Sequence, residues 1–365
     1  MIIIFGSVFG SIVLLLIAGL LYRVLRQQQH ERALALHTPN KIEEGQFVQI
    51  GNLAQWIQFR GENRDNPVLL VLHGGPGIAF SALTPTFRTW EHSFTVVQWD
   101  QPGAGKTASR NGKAGNDALT IDGMVQDGIQ VTEWVLHHLN QRKLILFAVS
   151  WGTILGTLMV NHRPDLFWAY VGTGQFVDGT DSEALGYDLT VERAKELGDV
   201  ETLKALQTIG PPPYADLKAL QAERQAMGKV SPETIERRRF PNMLSAALLS
   251  PGYSLKDGYM WIRGVSSSIA RLWKPMMTYD ARQLGTTFET PLFFFQGALD
   301  LYTPAKSVQE YFATLQAPHK ELLLWENEGH LTFLTNPEMI LKEVVARVRP
   351  LAAGDAPMEQ PASGT

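Results

Sequence analysis

The sequence predicts an α/β fold, a mostly parallel sheet covered by helices, broken by a helical insertion and preceded by one apolar helix. Three observations predict it. Short apolar runs at 67–72, 94–99, 144–149, 168–174, 291–295 and 321–325 end in turns, the habit of buried parallel strands. Segments of helical period separate several of them, most clearly at 120–140. From about 176 to 288 the strand pattern gives way to long helical stretches, and then it returns.

Composition narrows the class. A chain of 365 residues can bury one large core with an insertion, or form two domains. With 45% hydrophobic and 19% charged residues it is ordinarily globular. A net charge of −4 gives no sign of a nucleic-acid partner. Without cysteine it has no disulfide and no thiolate metal site, which fits a reducing compartment.

Residues 1–22 carry no charged side chain. About 22 residues at ~1.5 Å each span roughly 33 Å, enough for a hydrocarbon core. A cleaved signal peptide is the competing reading, but no basic region precedes the run and no small-x-small site closes it. The expectation is a retained single-pass transmembrane helix. Arg23, Arg26 and Arg32 follow it, so the positive-inside rule places the remaining chain in the cytoplasm. Gly6 and Gly10 form a lone G-x-x-x-G, a helix-dimerisation pattern that ordinary membrane glycines also produce.

Residues 23–44 read as a polar neck, short-helical or flexible. The alternating runs 47–50 and 55–59 flank Gly51-Asn52 and predict an antiparallel hairpin. The strand at 67–72 ends in His73-Gly74-Gly75-Pro76-Gly77. A tight turn accounts for such glycines, and so does an oxyanion hole, because glycine lets backbone N–H groups approach a ligand. Pro76 has no N–H, which leaves Gly74 and Gly75, with Gly75 favoured.

After the strand at 94–99 comes Asp100-Gln101-Pro102-Gly103-Ala104-Gly105-Lys106-Thr107. Its end imitates a phosphate-binding loop, but that loop needs glycine where Asp100 stands, and 109–112 reads as loop rather than helix. Asp100 is instead expected to bond backbone N–H groups in its own loop.

The strand at 144–149 turns at Ser150 into a helix, with small Ala148 and Gly152 on either side. A strand, a sharp turn with Ser at its apex and a helix form a nucleophile elbow. The next N–H, that of Trp151, lies at the new helix N-terminus, where it can donate to an oxyanion.

Within 176–288 the helical segments are 182–197, 200–209, 215–227 and 231–249, with Trp261, Trp273, Met276 and Met277 as bulky apolar groups. An inserted helical block reads as a cap over an active site. The strand at 291–295 leads to Asp300 and that at 321–325 to His330. A helix at 337–348 and a disordered tail at 351–365 close the chain.

Ser150, Asp300 and His330 each follow a strand, in that order. Taken singly they are a helix-cap serine, a turn aspartate and a loop histidine. In parallel sheets the carboxyl ends of strands face one crevice, so together they form a nucleophile, a base and the carboxylate that orients the base.

These residues resemble the α/β-hydrolase superfamily and, within it, the proline iminopeptidase-like (prolyl aminopeptidase) branch. The resemblance spans about residues 47–348. It rests on His73-Gly74-Gly75-Pro76-Gly77, Asp100-Gln101 with Gly103 and Gly105, Ser150-Trp151-Gly152, Gly297 with Asp300, and Gly329-His330. Pro102 and Ala298 stand where Arg is usual, and Ala148 replaces Gly. The resemblance implies an α/β-hydrolase fold with an inserted helical cap. It implies a serine hydrolase that works through an acyl-enzyme and releases N-terminal residues, proline preferred, from short peptides. Ser150, Asp300 and His330 would be catalytic, with Gly75 and Trp151 as oxyanion donors and no metal or organic cofactor. Cap carboxylates would bind the substrate amine, with Glu183 and Glu192 as candidates and Glu196 and Glu223 also available. A carboxylesterase of small acyl esters is the alternative, followed by a non-catalytic binding module. An epoxide hydrolase would need Asp at the elbow. The expected divisions are an anchor at 1–22, a neck at 23–44, a core at 45–175 and 289–350, a cap at 176–288 and a tail from 351. The expected partners are a small-molecule or short-peptide substrate and a membrane.

Overall fold

The structure, a computed structural model, describes residues 2–117, 119–236 and 243–352. The first helix, α1 (Ile2–Leu34), runs without a break, so most of the expected neck is helical. Its segment Ser11–Leu34 is long and apolar enough to cross a membrane, and Leu14, Leu15, Leu16 and Leu21 on it are exposed. The hairpin is longer than its alternation suggested: β1 (Ile42–Ile50) pairs antiparallel with β2 (Leu53–Gly61) across Gly51, whose φ of 52° suits glycine.

The core follows as β3 (Val68–Leu72), β4 (Thr95–Asp100), α2 (Gly105–Asn111), α3 (Ile121–Leu139), β5 (Leu144–Val149), α4 (Trp151–His162) and β6 (Phe167–Thr173). The insertion holds α5 (Gly179–Glu196), α6 (Val200–Ile209), α7 (Leu217–Val230), the single turn Pro232–Ile235, α8 (Met243–Leu249) and α9 (Leu255–Met277). The chain ends with β7 (Leu292–Gly297), α10 (Ala305–Thr314), β8 (Lys320–Trp325) and α11 (Pro337–Glu343), after which Val344–Val348 continues as a wider π turn.

The eight strands lie in the order β1-β2-β4-β3-β5-β6-β7-β8, antiparallel in the first two pairings and parallel from β4 onward. Side chains of period two divide the core into two layers. Leu70, Leu72, Leu146, Tyr170 and Phe294 join the layer under α3 and α4. Leu69, Val71, Ile145, Phe147, Phe293 and Phe295 meet Phe87, Trp90, Phe333 and Ile340 in the other.

Three readings of the sequence need correction. Residues 105–111 form a helix, where 109–112 suggested a loop. Its first turn is fixed from a distance: Asp100 Oδ2 accepts the Lys106 N–H at 2.8 Å, and the Thr107 hydroxyl donates to the Asp100 carbonyl at 2.6 Å. The Lys106 ammonium lies over the Trp56 ring, 3.8 Å from its centre. The 23-residue α9 was represented in the sequence reading only by its bulky side chains. Its buried face is Gly258, Trp261, Gly264, Ser268 and Leu272. A Cβ on Gly264 would stand 2.5 Å from the Gly103 carbonyl, so the helix lies directly on the loop after β4. The expected helix at 231–249 is interrupted, and residues 237–242 lie outside the described residues, as does the tail from 353.

The insertion leaves and re-enters the core through one stem. Asp178 pairs with Asp280, Gly179 donates its N–H to the Tyr279 carbonyl at 3.0 Å, and Ala281 donates to Val177 at 2.7 Å. α1 reaches the insertion too. Arg23 donates to the Leu248 carbonyl at 3.0 Å, and Gln27 to Ser250 at 2.8 Å and Tyr253 at 2.9 Å. These carbonyls lie at the end of α8 and in the turn that follows it.

Candidate active site

Ser150 sits between β5 and α4 with φ 52° and ψ −120°, a strained conformation for a residue with a side chain. Its N–H donates to Thr173 at 2.9 Å, and its carbonyl accepts from Thr153 at 2.7 Å. The turn leaves no room beside it: a Cβ on Gly152 would lie 2.4 Å from the Leu72 carbonyl oxygen.

The structure brings Ser150, His330 and Asp300 together from the ends of β5, β8 and β7. Ser150 Oγ is 2.9 Å from His330 Nε2, and His330 Nδ1 is 2.8 Å from Asp300 Oδ2. Asp300 also accepts from the N–H groups of Tyr302 and Thr303, the Thr303 hydroxyl and the Gln296 amide. Paired with an acceptor-only carboxylate, His330 Nδ1 carries the proton, which leaves Nε2 to accept from the Ser150 hydroxyl. Burial alone would lower the His330 pKa, but the Asp300 charge and hydrogen bond outweigh it and hold the imidazole above its ordinary 6.5. The Tyr302 ring stacks on His330 with centroids 4.7 Å apart.

Gly74 and Gly75 line the cavity in front of Ser150. Gly75 has φ 123°, and a Cβ there would strike the Gly77 and Ile78 nitrogens at 2.7 and 2.9 Å. The Trp151 N–H opens α4, where helix donors have no intrahelical partner. Gln101 joins the two loops. It accepts from the Trp151 indole at 3.0 Å, donates through its side chain to the His73 carbonyl at 3.2 Å, and donates its own N–H to His73 Nε2 at 3.3 Å. The other His73 nitrogen then donates to the Gly74 carbonyl at 2.9 Å. Burial lowers the His73 pKa to about 4, so this imidazole is a neutral strut. Nearby, burial pushes Asp100 up to about 6, while the Ser81 hydroxyl donates to it at 2.6 Å.

The cavity holds about 470 Å³. Phe176, Leu220, Ile269, Trp273, Met276 and Met277 give it an apolar wall, and Glu183 and Arg224 are its charged side chains. Arg224, from α7, donates to Glu183 Oε1 and to Glu223 Oε2. Glu183 Oε2 and Glu223 Oε1 are buried without a hydrogen-bond partner among the described residues. Burial raises the Glu223 pKa despite the pull of Arg224.

Glu192 is not in this cavity. It follows Glu183 by nine residues on α5, two and a half turns on and so on the opposite face, and lines a separate depression with Tyr187, Lys195 and Leu206. Glu196 is exposed and pairs with Arg193 at 3.0 Å. The sequence reading missed Arg224, Tyr302 and Glu233, whose Oε1 accepts the Leu331 N–H at 2.9 Å and ties the insertion to the histidine loop, and it named Gln101 only within a motif, without a role. A usable signal existed for Gln101, which directly follows the strand-ending Asp100. None existed for Arg224, whose place depends on how α7 docks.

Comparison with known proteins gives a consistent picture. A family model described as serine aminopeptidase, S33, matches residues 63–337. A probable aminopeptidase of Bacillus subtilis (strain 168), YbaC, is 29% identical over 308 residues, 83% of this chain and 95% of that protein. A proline iminopeptidase of Mycobacterium smegmatis superposes with a TM-score of 0.60 at 17% identity, covering 85% of this chain and 99% of that one. A membrane phospholipase A described as a bacterial virulence factor superposes at 0.58 and 18% identity, covering 94% of this chain and 98% of that one. At such identities the two structures share the fold.

Proposed function

The chain belongs to the serine aminopeptidase S33 family of α/β-hydrolases, and on that premise we propose that it releases an N-terminal residue, proline preferred, from short peptides through an acyl-enzyme on Ser150. His330 Nε2 takes the hydroxyl proton as Ser150 Oγ attacks the carbonyl. The oxyanion is met by the N–H groups of Gly75 and Trp151, and Asp300 stabilises the imidazolium. His330 then passes its proton to the leaving amine, the C–N bond breaks, and a water deprotonated by His330 hydrolyses the acyl-enzyme.

One observation carries the aminopeptidase reading. Glu183 lines the cavity that holds Ser150, and its Oε2 is buried beside it without a hydrogen-bond partner among the described residues. Two carboxylates surround one guanidinium there, which leaves a negative charge for a substrate ammonium. The apolar wall of Phe176, Trp273 and Met276 suits a pyrrolidine ring. A second reading, hydrolysis of acyl esters, is favoured by that same wall, and needs no amine site. α1 is read as a retained single-pass anchor with the hydrolase on its cytoplasmic side, on the strength of its exposed apolar span and the following Arg23, Arg26 and Arg32.

The test is labelling with a fluorophosphonate in competition with an aminoacyl arylamide. Labelling should map to Ser150, abolish arylamide turnover and vanish in Ser150→Ala. Turnover that survives complete labelling, or labelling retained in that variant, would sink the assignment.

A further inference from the structure

We propose that the outer face of α9 is a membrane-contact surface that rests on anionic lipid headgroups beside the N-terminal helix. The inference rests on α1 being an anchor. The first observation is apolar exposure. Leu255, Tyr259 and Ile262 stand one turn apart on a single face and are 51%, 55% and 41% exposed, while the opposite face is buried against the core. Large apolar groups repeated along one solvent-facing helix mark a contact surface more strongly than isolated ones.

The second observation is charge. Lys256, Arg263, Arg271 and Lys274 are exposed on the same helix. Its single carboxylate, Asp257, is held in the capping box with Ser254, and Asp117 from the neighbouring segment faces Arg271. A helix with an apolar stripe flanked by cations lies in the plane of a bilayer interface, and anionic lipids complement it.

The third is place. The Tyr253 carbonyl accepts from Arg23 and Gln27, which lie within five residues of the end of the uncharged stretch 1–22. Leu255 follows Tyr253 by two residues, at most about 7 Å of chain. The first turn of α9 is therefore pinned next to the point where α1 would leave the membrane. Cations and apolar groups at that height meet headgroups and upper acyl chains. One and two heptads further along the same helix, in the phase of Ile262 and Tyr259, Ile269, Trp273 and Met276 line the Ser150 cavity, so the apolar stripe proposed to meet lipid runs on into the wall of the substrate cavity.

The full chain lacks cysteine, so single replacements give unique labelling sites. Tyr259→Cys, Ile17→Cys on the span and Gln207→Cys on the exposed face of α6 would each carry an environment-sensitive fluorophore. The protein is placed in nanodiscs of phosphatidylcholine with or without phosphatidylglycerol, doped with nitroxide-labelled lipid. The proposal predicts quenching at position 259 that strengthens with phosphatidylglycerol, and none at 207. Lys256→Glu or Arg263→Glu should weaken the lipid-dependent quenching by roughly fivefold per charge. Quenching at 17 with position 259 as silent as 207 would overturn the surface and leave the anchor standing. No quenching at 17 would overturn the anchor and the surface with it. Shielding of 259 that grows with protein concentration in detergent would identify a second copy as the occupant and overturn the lipid assignment.

Discussion

His330 is pulled two ways, and the balance has a measurable consequence. Burial disfavours the imidazolium and Asp300 favours it, with the net shift upward from 6.5. Only the neutral ring can accept the Ser150 proton, and its fraction falls as pH drops through that raised pKa. The acid limb of kcat/KM should therefore lie above 6.5, and a limb at or below that value would contradict the geometry. Asp300→Asn should move the limb down and lower kcat on the order of 10⁴-fold, because the ring loses the partner that fixes its tautomer. Glu183→Gln should raise KM for free-amine substrates by roughly 10- to 100-fold, the value of one charge-assisted hydrogen bond, and leave small-ester turnover intact. Glu192→Gln should change neither, and equal effects from the two would dissolve the amine site. Ser150, Asp300 and His330 were legible in the sequence because each lies in the turn or loop after an apolar strand. Glu183 and Glu192 were not separable, because helical phase relative to the cavity is a tertiary property.

At the scale of elements, the elbow depends on one small residue. Gly152→Ala would drive a methyl group into the Leu72 carbonyl, backbone that cannot step aside. About 1–3 kcal/mol of stability should be lost, read as a lower urea midpoint, together with fluorophosphonate labelling. An Ala variant with wild-type stability and labelling would show that the turn is looser than drawn. A second element-level dependence lies at the hairpin. Arg60 pairs with the buried Glu91 at 2.7 Å, bonds Glu43, and donates to the Leu34 carbonyl at the end of α1. Arg60→Met would leave Glu91 only the longer contact to Arg88 at 3.6 Å and should cost about 3 kcal/mol, with a midpoint shift to match. The strands and the 120–140 helix were legible because their buried faces are apolar. α9 was not, because Gly258, Gly264 and Ser268 make much of its buried face, and small residues pressed on backbone leave little hydrophobic period. Its capping box at Ser254 and Asp257 was the signal available. The short α2 is held by Asp100 and Thr107 across a loop, and no local pattern announces that.

For the whole molecule, the alternation of strands and helices disclosed the sheet and its crevice. The placement of β4 between β2 and β3 was not legible, since pairing order depends on crossover geometry rather than on any one segment. The insertion joins the core by a two-stranded stem, touches the histidine loop through Glu233, and receives α1 at the end of α8. It therefore links three things: the helix able to span a membrane, the wall of the cavity and the segment that carries His330. What this assembly acts on turns on the free carboxylate oxygen of Glu183. The most direct measurement compares kcat/KM for a prolyl arylamide with that for its N-acetylated form in the full-length protein. An ammonium received by Glu183 predicts a preference for the free amine on the order of 10- to 100-fold, lost in Glu183→Gln. Equal or faster cleavage of the acetylated compound would contradict the aminopeptidase reading and make the cavity an acyl-ester site.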